Sequence, residues 1–348
     1  MTDYSQPSPL PRQGSSATLS CVMPAYNEAG NLGQVVPHVL EALTALSPRV
    51  ELIIVNDGSR DTTAQVLADL CAVHPQLVAL NLSRNFGKEA ALTAGIEAAR
   101  GDALFIMDAD GQHPSSLLHD MLQKWEQGAD VVYAVRKTRH DQSMLHVAFT
   151  SVFYKLINWR SRVNIPANAG DFRLMDRQVV QALINLPERN RFMKGLYAWV
   201  GFNSTAIDYE PLPRADGQSN YGFRGALSLA VTGLLAFSVA PLRLVSYFGL
   251  ILALAALGYG AYMIFYYFWY GADTPGYATI VVGMMFLSGI QLMSIGVLAE
   301  YVGRIYEEVK QRPVYLLRSR LGNGLPASEL ASLNSPITPT HTNDLKSI

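Results

Sequence analysis

Leu104-Phe105-Ile106-Met107-Asp108-Ala109-Asp110-Gly111-Gln112 is an apolar run that ends abruptly in two carboxylates and an amide. Such a run, stopped by a Gly-containing turn, reads as a buried strand, so Asp108 and Asp110 stand at its carboxyl end. Two carboxylates one residue apart in a partly dry cleft repel each other unless a cation lies between them, and Gln112 adds a neutral oxygen suited to Mg²⁺ or Mn²⁺. Asp108, Asp110 and Gln112 are therefore the metal candidates, and such an ion commonly holds a diphosphate. Asp-x-Asp is short, and a solvated turn with helix-capping aspartates has the same pattern. On these residues alone both readings stand.

Outward from this stretch, strand-like runs at 18–23, 51–55, 77–82, 103–107 and 130–135 alternate with helix-period segments at 32–46, 62–73, 88–100 and 115–127. That alternation predicts an α/β fold, a mostly parallel sheet covered on both faces whose ligands bind at the carboxyl ends of the strands. Pro24-Ala25-Tyr26-Asn27-Glu28 follows the first strand and Asn56-Asp57-Gly58-Ser59 the second. Ser83-Arg84-Asn85-Phe86-Gly87-Lys88 follows the third, so four strand ends converge on one crevice. Neither Gly-x-Gly-x-x-Gly nor Gly-x-x-x-x-Gly-Lys-Ser/Thr occurs, which excludes a Rossmann fingerprint and a P-loop. Phosphates are left to metal and basic side chains.

Past residue 135 come a basic loop and an apolar-aromatic helix candidate at 145–159, which is either core or a helix resting on a bilayer. The segment Asn168-Ala169-Gly170-Asp171-Phe172-Arg173-Leu174-Met175 follows, then a helix from Arg177.

With 348 residues and a formal charge of −1, the chain shows no bulk attraction to nucleic acid, and no nucleic-acid module is present. Cys21 and Cys71 fall in a strand-like and a helix-like run and read as reduced, buried thiols. Residues 1–17 and 322–348 are polar and rich in Ser, Pro or Thr; they are expected to be disordered tails, and the first has no apolar core of a secretory signal.

Two long apolar stretches, 244–270 and 277–301, are each long enough to cross a bilayer and hold no basic residue. Their link, 271–276, lacks Lys and Arg, whereas Arg243 flanks one end and Arg304, Lys310 and Arg312 the other. A two-helix hairpin with both ends in the cytosol is expected, preceded by an interfacial helix over 226–243. Residues 18–225 would form the cytosolic head and 302–321 a juxtamembrane segment.

Taken in order, Pro-Ala-Tyr-Asn-Glu at 24–28, Asn-Asp-Gly-Ser at 56–59, Arg-Asn-Phe-Gly-Lys-Glu-Ala-Ala-Leu at 84–92, Asp-Ala-Asp-Gly-Gln at 108–112, Gly-Asp-Phe-Arg-Leu-Met at 170–175 and Arg-Ile-Tyr-Glu-Glu-Val-Lys at 304–310 resemble one family. It is the family-2 glycosyltransferases that load sugars onto polyprenyl phosphates, of the bactoprenol glucosyltransferase and dolichol-phosphate mannosyltransferase type. The resemblance runs from about residue 19 to 317. It implies a GT-A fold, a nucleotide-sugar donor (UDP-glucose before GDP-mannose), a polyprenyl phosphate such as undecaprenyl phosphate as acceptor, inversion, and the cytosolic face of a bacterial inner membrane.

Carried over by position, Pro24, Ala25, Tyr26, Asn27, Glu28, Asp57, Lys88 and Asp108 would hold the nucleotide sugar. Asp108 and Asp110 would act in catalysis through the metal, with Gln112 in its shell. Asp171 would be the catalytic base, or alternatively a carboxylate that positions arginines through Arg173. Arg136, Arg139, Arg173, Arg214 and Ser219 would hold acceptor or diphosphate.

Three positions depart from the family pattern: His113 and Asn56 stand where Asp is common, and Ser219-Asn220-Tyr221 replaces Ser-Lys-Tyr, a lost cation that Arg214 or Arg224 would replace. A processive polysaccharide synthase is disfavoured because no Gln-x-x-Arg-Trp is present. A scaffold with a degenerate transferase head is the non-enzyme rival, and a homo-oligomer is left open.

Overall fold

Strands that are almost wholly apolar can be buried only between two layers, and the chain supplies both. The computed structural model describes residue 12 and residues 16–136, 169–189, 191–210, 240–270 and 276–326. In chain order the elements are β1 (Leu19–Ala25), α1 (Ala29–Leu46), β2 (Val50–Asn56), α2 (Thr63–Val73), β3 (Leu77–Leu82), α3 (Lys88–Ala98), β4 (Ala103–Ile106), α4 (Ser116–Glu126), β5 (Val131–Arg136), β6 (Ala169–Asp176), α5 (Arg177–Ile184), α6 (Met193–Trp199), β7 (Ser204–Tyr209), α7 (Ala240–Tyr270), α8 (Tyr277–Lys310) and β8 (Leu317–Leu321). The helix expected at 145–159 and the body of the interfacial helix at 226–239 lie outside the described residues.

The strands form one sheet in the order β7-β5-β6-β4-β1-β2-β3-β8. Its centre, β4-β1-β2-β3, is parallel, as the βα alternation requires. One face packs Leu32, Val36 and Leu43 of α1, Leu67 of α2 and Met121 and Trp125 of α4 on the inward side chains of β1 and β2, Cys21 and Leu52 among them. The other face carries α3, α5 and α6 through residues such as Leu92, Val180 and Leu196, on Val22, Ile53 and Val55. Alternation along each strand thus feeds both layers. Pro24 sits in a central strand without cost to the ladder, because the pairing of β1 with β4 has already ended at Val22 opposite Ile106.

The sheet departs from the simple alternation at β6. Residues 169–176, legible only as a motif, form a strand that inserts antiparallel between β4 and β5. A buried arginine at 173 and an aspartate at 171 hid its period of two.

The C-terminal region also differs from expectation. Helix α8 runs on to Lys310, and 317–321, read as part of a juxtamembrane segment, becomes β8 on the open edge of β3. Beyond it Leu325 is buried, and its N–H donates to the buried carboxylate of Glu51, which also accepts from Ser20 Oγ and the Arg100 N–H. Gly322, at φ +78, passes so close to the Leu77 carbonyl that any Cβ would collide with it. At the other end Arg12 reaches Asp130 at 2.8 Å and Asp176 at 3.3 Å. Among the described residues one helical stretch, Gly283–Lys310, is by itself long and apolar enough to cross a membrane; α7 is a second long helix of 31 residues.

A relay of amides ties the C-terminal strand to the centre of the sheet. Asn81 Nδ2 donates to Ser319 Oγ on β8 at 3.1 Å, Asn56 Nδ2 donates to Asn81 Oδ1 at 2.8 Å, and Asn56 Oδ1 accepts from the Ser59 N–H at 3.0 Å. An aspartate at 56 would put a carboxylate against the Asn81 carbonyl oxygen and leave that buried acceptor unpaired, at a cost of about 1–3 kcal/mol. Asn56→Asp is therefore expected to lower the denaturation midpoint at constant m-value; an unchanged midpoint would show that the relay adds nothing.

Candidate active site

The carboxyl ends of β1, β2 and β3 are held together by their own loops. Asn27, at φ 57, accepts from the Arg60 N–H and donates its own N–H to Ser59 Oγ, and the Glu28 N–H reaches Thr63 Oγ1 at 3.0 Å. Gly58 (φ +64) lies against the backbone of Arg84 and Asn85, where no side chain fits. Asp57, 3 % exposed, accepts from the N–H groups of Phe86 at 2.7 Å and Gly87 at 2.9 Å. Burial pushes its carboxyl up despite those bonds. Asp57, one of the residues expected to hold the nucleotide sugar, engages both oxygens in fixing the β3–α3 loop. Tyr26 stands on the rim, 37 % exposed.

The loop held by Asp57 delivers Lys88, the first residue of α3, to the end of β4. Strand β6 comes the other way: Ile106 pairs with Arg173, and extending that antiparallel register by two residues sets Asp108 opposite Asp171. Lys88 Nζ lies between them, 2.6 Å from Asp108 Oδ1 and 2.7 Å from Asp171 Oδ2. Burial pushes the Asp171 carboxyl up, but the ammonium of Lys88, aided by Lys194, more than offsets it and holds the carboxyl low. Asp108 behaves alike: burial opposes ionisation, and Lys88 with the His113 ring overcomes it. Lys88 in turn is held above its ordinary range against its own burial. All three groups stay charged at neutral pH.

Among the described residues Arg173, which is buried, makes no ion pair with the Asp171 side chain. Its Nη2 donates to the Gly170 carbonyl at 2.7 Å and its guanidinium stacks 3.6 Å from the Tyr197 ring. Arg136 ends β5, while Arg139, Arg214 and Ser219 lie outside the described residues.

His113, a departure from the family pattern, is packed on Phe172 at 4.5 Å and Tyr209 at 5.8 Å between ring centroids, with Nε2 3.8 Å from Asp108 Oδ2. A second unforeseen residue is Glu89, whose Oε2 accepts from the Met193 N–H at 3.1 Å. Burial first, then the Asp171 charge, raise its carboxyl to about 7. Its sequence signal was available: it is the one carboxylate in the first turn of a helix buried from Ala90 to Ile96.

Asp108 and Asp110 lie near enough to Glu28 that, after burial, their charges help raise its carboxyl. Asp110 Oδ1 accepts from the Gln112 N–H, curling the turn on itself. Among the described residues no group of three or more His, Cys, Asp or Glu side chains converges on one point. Two carboxylates and the Gln112 amide in a negative field suit a hard divalent ion whose remaining shell is filled by ligand oxygens.

A parallel-centred sheet whose strand ends gather carboxylates and a lysine in one crevice places this site where α/β enzymes bind their ligands. Residues 20–184 match the model of glycosyl transferase family 2, and residues 240–305 match that of the GtrB C-terminal hairpin. An uncharacterized glycosyltransferase of Synechocystis sp. is 45% identical over 87% of this chain and 96% of its own. The SfII prophage-derived bactoprenol glucosyl transferase of Shigella flexneri is 41% identical over 88% of this chain and 99% of its own. This chain belongs to glycosyl transferase family 2 and is a glycosyltransferase. A mannosyltransferase from Pyrobaculum calidifontis, solved in complex with GDP-Man and Mn²⁺, superposes loosely: TM-score 0.41, 16% identity, 88% of this chain and 91% of that one.

Glu89 has a consequence for stability. Its folded value of about 7 lies above the ordinary 4.5, so between those pH values the unfolded chain releases a proton that the folded chain keeps. Stability is fully present below that window and falls as pH rises through it. Glu89→Gln, which keeps an acceptor for the Met193 N–H, should flatten the decline of melting temperature between about pH 5 and 7; an unaltered slope would contradict the assignment.

Proposed function

We propose that this glycosyltransferase moves glucose from UDP-glucose, with inversion, to undecaprenyl or another polyprenyl phosphate at the cytosolic face of the membrane, using Mg²⁺ or Mn²⁺. One observation carries the reading: Lys88 holds Asp108, just beyond the end of β4, and Asp171 of β6 within one ion-paired unit. Donor and acceptor chemistry therefore meet at a single cation. The 41% identity to a bactoprenol glucosyl transferase supports both glucose and the prenyl carrier. The hairpin match at 240–305 supports α7 and α8 as paired membrane helices below a head formed by residues 18–225.

Asp108, Asp110 and Gln112 are the residues to hold the divalent ion, which when bound supplies positive charge against that developing on the leaving diphosphate. The rest falls to the chain itself. Lys88 brings a second cation from the start of α3. The acceptor needs little help, since a phosphate monoester with a second pKa near ~6 is largely dianionic at neutral pH. A carboxylate held low by Lys88 is a weak base. Asp171 is accordingly a positioning group, one that keeps Lys88 and the nucleophile in register. Glu28 and Tyr26, on the loop after β1, would take the nucleotide.

Asp171→Asn is expected to lower kcat at least about 100-fold at every pH, with no recovery in alkali; recovery there would restore the base role. Lys88→Met should cost a similar factor and also lower the melting temperature, because it leaves Asp108 and Asp171 facing each other without their cation. The decisive assay incubates membranes with undecaprenyl phosphate and a panel of nucleotide sugars, with and without a chelator, and identifies the lipid product by mass. UDP-glucose with a divalent ion should yield the hexosyl lipid. A product from GDP-mannose alone would favour the mannosyl alternative, and turnover indifferent to chelation would remove the metal.

A further inference from the structure

Arg304 stands on α8 one helical turn after Glu300, the first charged side chain beyond residues 277–299. At ~1.5 Å per residue that uncharged run rises about 34 Å, against a hydrocarbon core of roughly 30 Å. With α8 spanning a bilayer, Arg304 falls at headgroup depth. Its side chain is only 18% exposed, and its ion-pair partner among the described residues, Glu300, is 53% exposed and a long 3.3 Å from Nη2. The Nε and Nη1 atoms are buried with no hydrogen-bond partner among the described residues.

A guanidinium cannot shed its charge to escape such a site. Unpaired buried donors cost about 1–3 kcal/mol each, more when charged, so an orphaned fork of this kind calls for a ligand. That end of α8 is moreover fixed to the head. The Arg189 N–H donates to Glu308 Oε1 at 2.9 Å, and the Arg189 guanidinium donates to the Arg312 carbonyl.

We infer that Arg304 binds the phosphate of a lipid headgroup at the head-side end of α8. Phosphate offers several oxygens to donors on different sides of one guanidinium and cancels its charge, which a sugar hydroxyl or a carbonyl does not. Two lipids carry that group: the monoester of a polyprenyl phosphate and the diester of an anionic phospholipid. The depth assigned to Arg304 rests on the membrane reading proposed above; the choice of the prenyl lipid rests on the acceptor reading.

The test uses the full chain in maltoside micelles, free of metal and nucleotide sugar. Undecaprenyl phosphate, phosphatidylglycerol and phosphate-free undecaprenol are added in separate arms, and bound lipid is counted by native mass spectrometry alongside the melting temperature. The parent protein should retain a phosphate lipid and melt higher with it, and should ignore undecaprenol. Arg304→Gln should retain at least about tenfold less of that lipid and lose the rise, with Arg304→Lys between the two. Without lipid the glutamine variant should melt no lower than the parent, because an unsatisfied charge has gone.

Whichever phosphate arm collapses identifies the source. Equal retention by parent and variant in both arms overturns the inference, as does a variant that melts lower without lipid yet keeps its lipid, the mark of a purely structural partner for Glu300. No donor sugar takes part, so failure of every nucleotide sugar to turn over would count against the proposed function and leave this result standing.

Discussion

Two carboxylates are carried to facing positions by the antiparallel register of β4 and β6, and no such pair persists in a partly buried crevice without a cation between them. Lys88 is that cation, and much of the surrounding structure can be understood as holding it there. Asp57 is buried in order to pin the Phe86 and Gly87 amides, which set the start of α3. The absence of a side chain at Gly58 lets the β2–α2 loop close on Arg84. Behind the clasp, the Arg173 guanidinium is absorbed by a backbone carbonyl and the Tyr197 ring, so it does not compete for Asp171.

Much of this was legible in the residues because the strongest signals were local. The runs 18–23, 51–55, 77–82 and 103–107 are mostly apolar and bounded by turns, and they became β1 to β4 with shifts of a residue or two. Strand-end placement then followed from the parallel topology, which is why the nearness of Lys88 and Asp108 was legible in the sequence. What escaped was non-local. The pairing of Lys88 with Asp171 joins residues 83 positions apart (171 − 88) through a register no periodicity reports. Strand β6 carries Asp and Arg on one side, and β8, Leu-Arg-Ser-Arg-Leu, is exposed and charged; each is a strand because a neighbour's edge was open, not because its composition asks for it.

The departures from the family pattern have physical counterparts here. Asn56 serves both as donor and as acceptor in a buried relay, which a carboxylate cannot do at neutral pH. His113 fills an aromatic wall with Phe172 and Tyr209 where an aspartate would place charge against two rings. Substitutions that look disruptive in a motif are thus accommodated by their immediate packing.

Strand β8 follows α8 after only residues 311–316, and Tyr315 in that link donates to Glu97 Oε2 at 2.7 Å, near the end of the helix that begins with Lys88. That short stalk is tied to the sheet on one side and to α3 on the other. With α8 spanning the bilayer as proposed, any tilt it takes to match lipid thickness is passed to the catalytic crevice. Bilayer thickness then sets the height of the crevice above the lipid, and a carrier of fixed reach must rise to meet it.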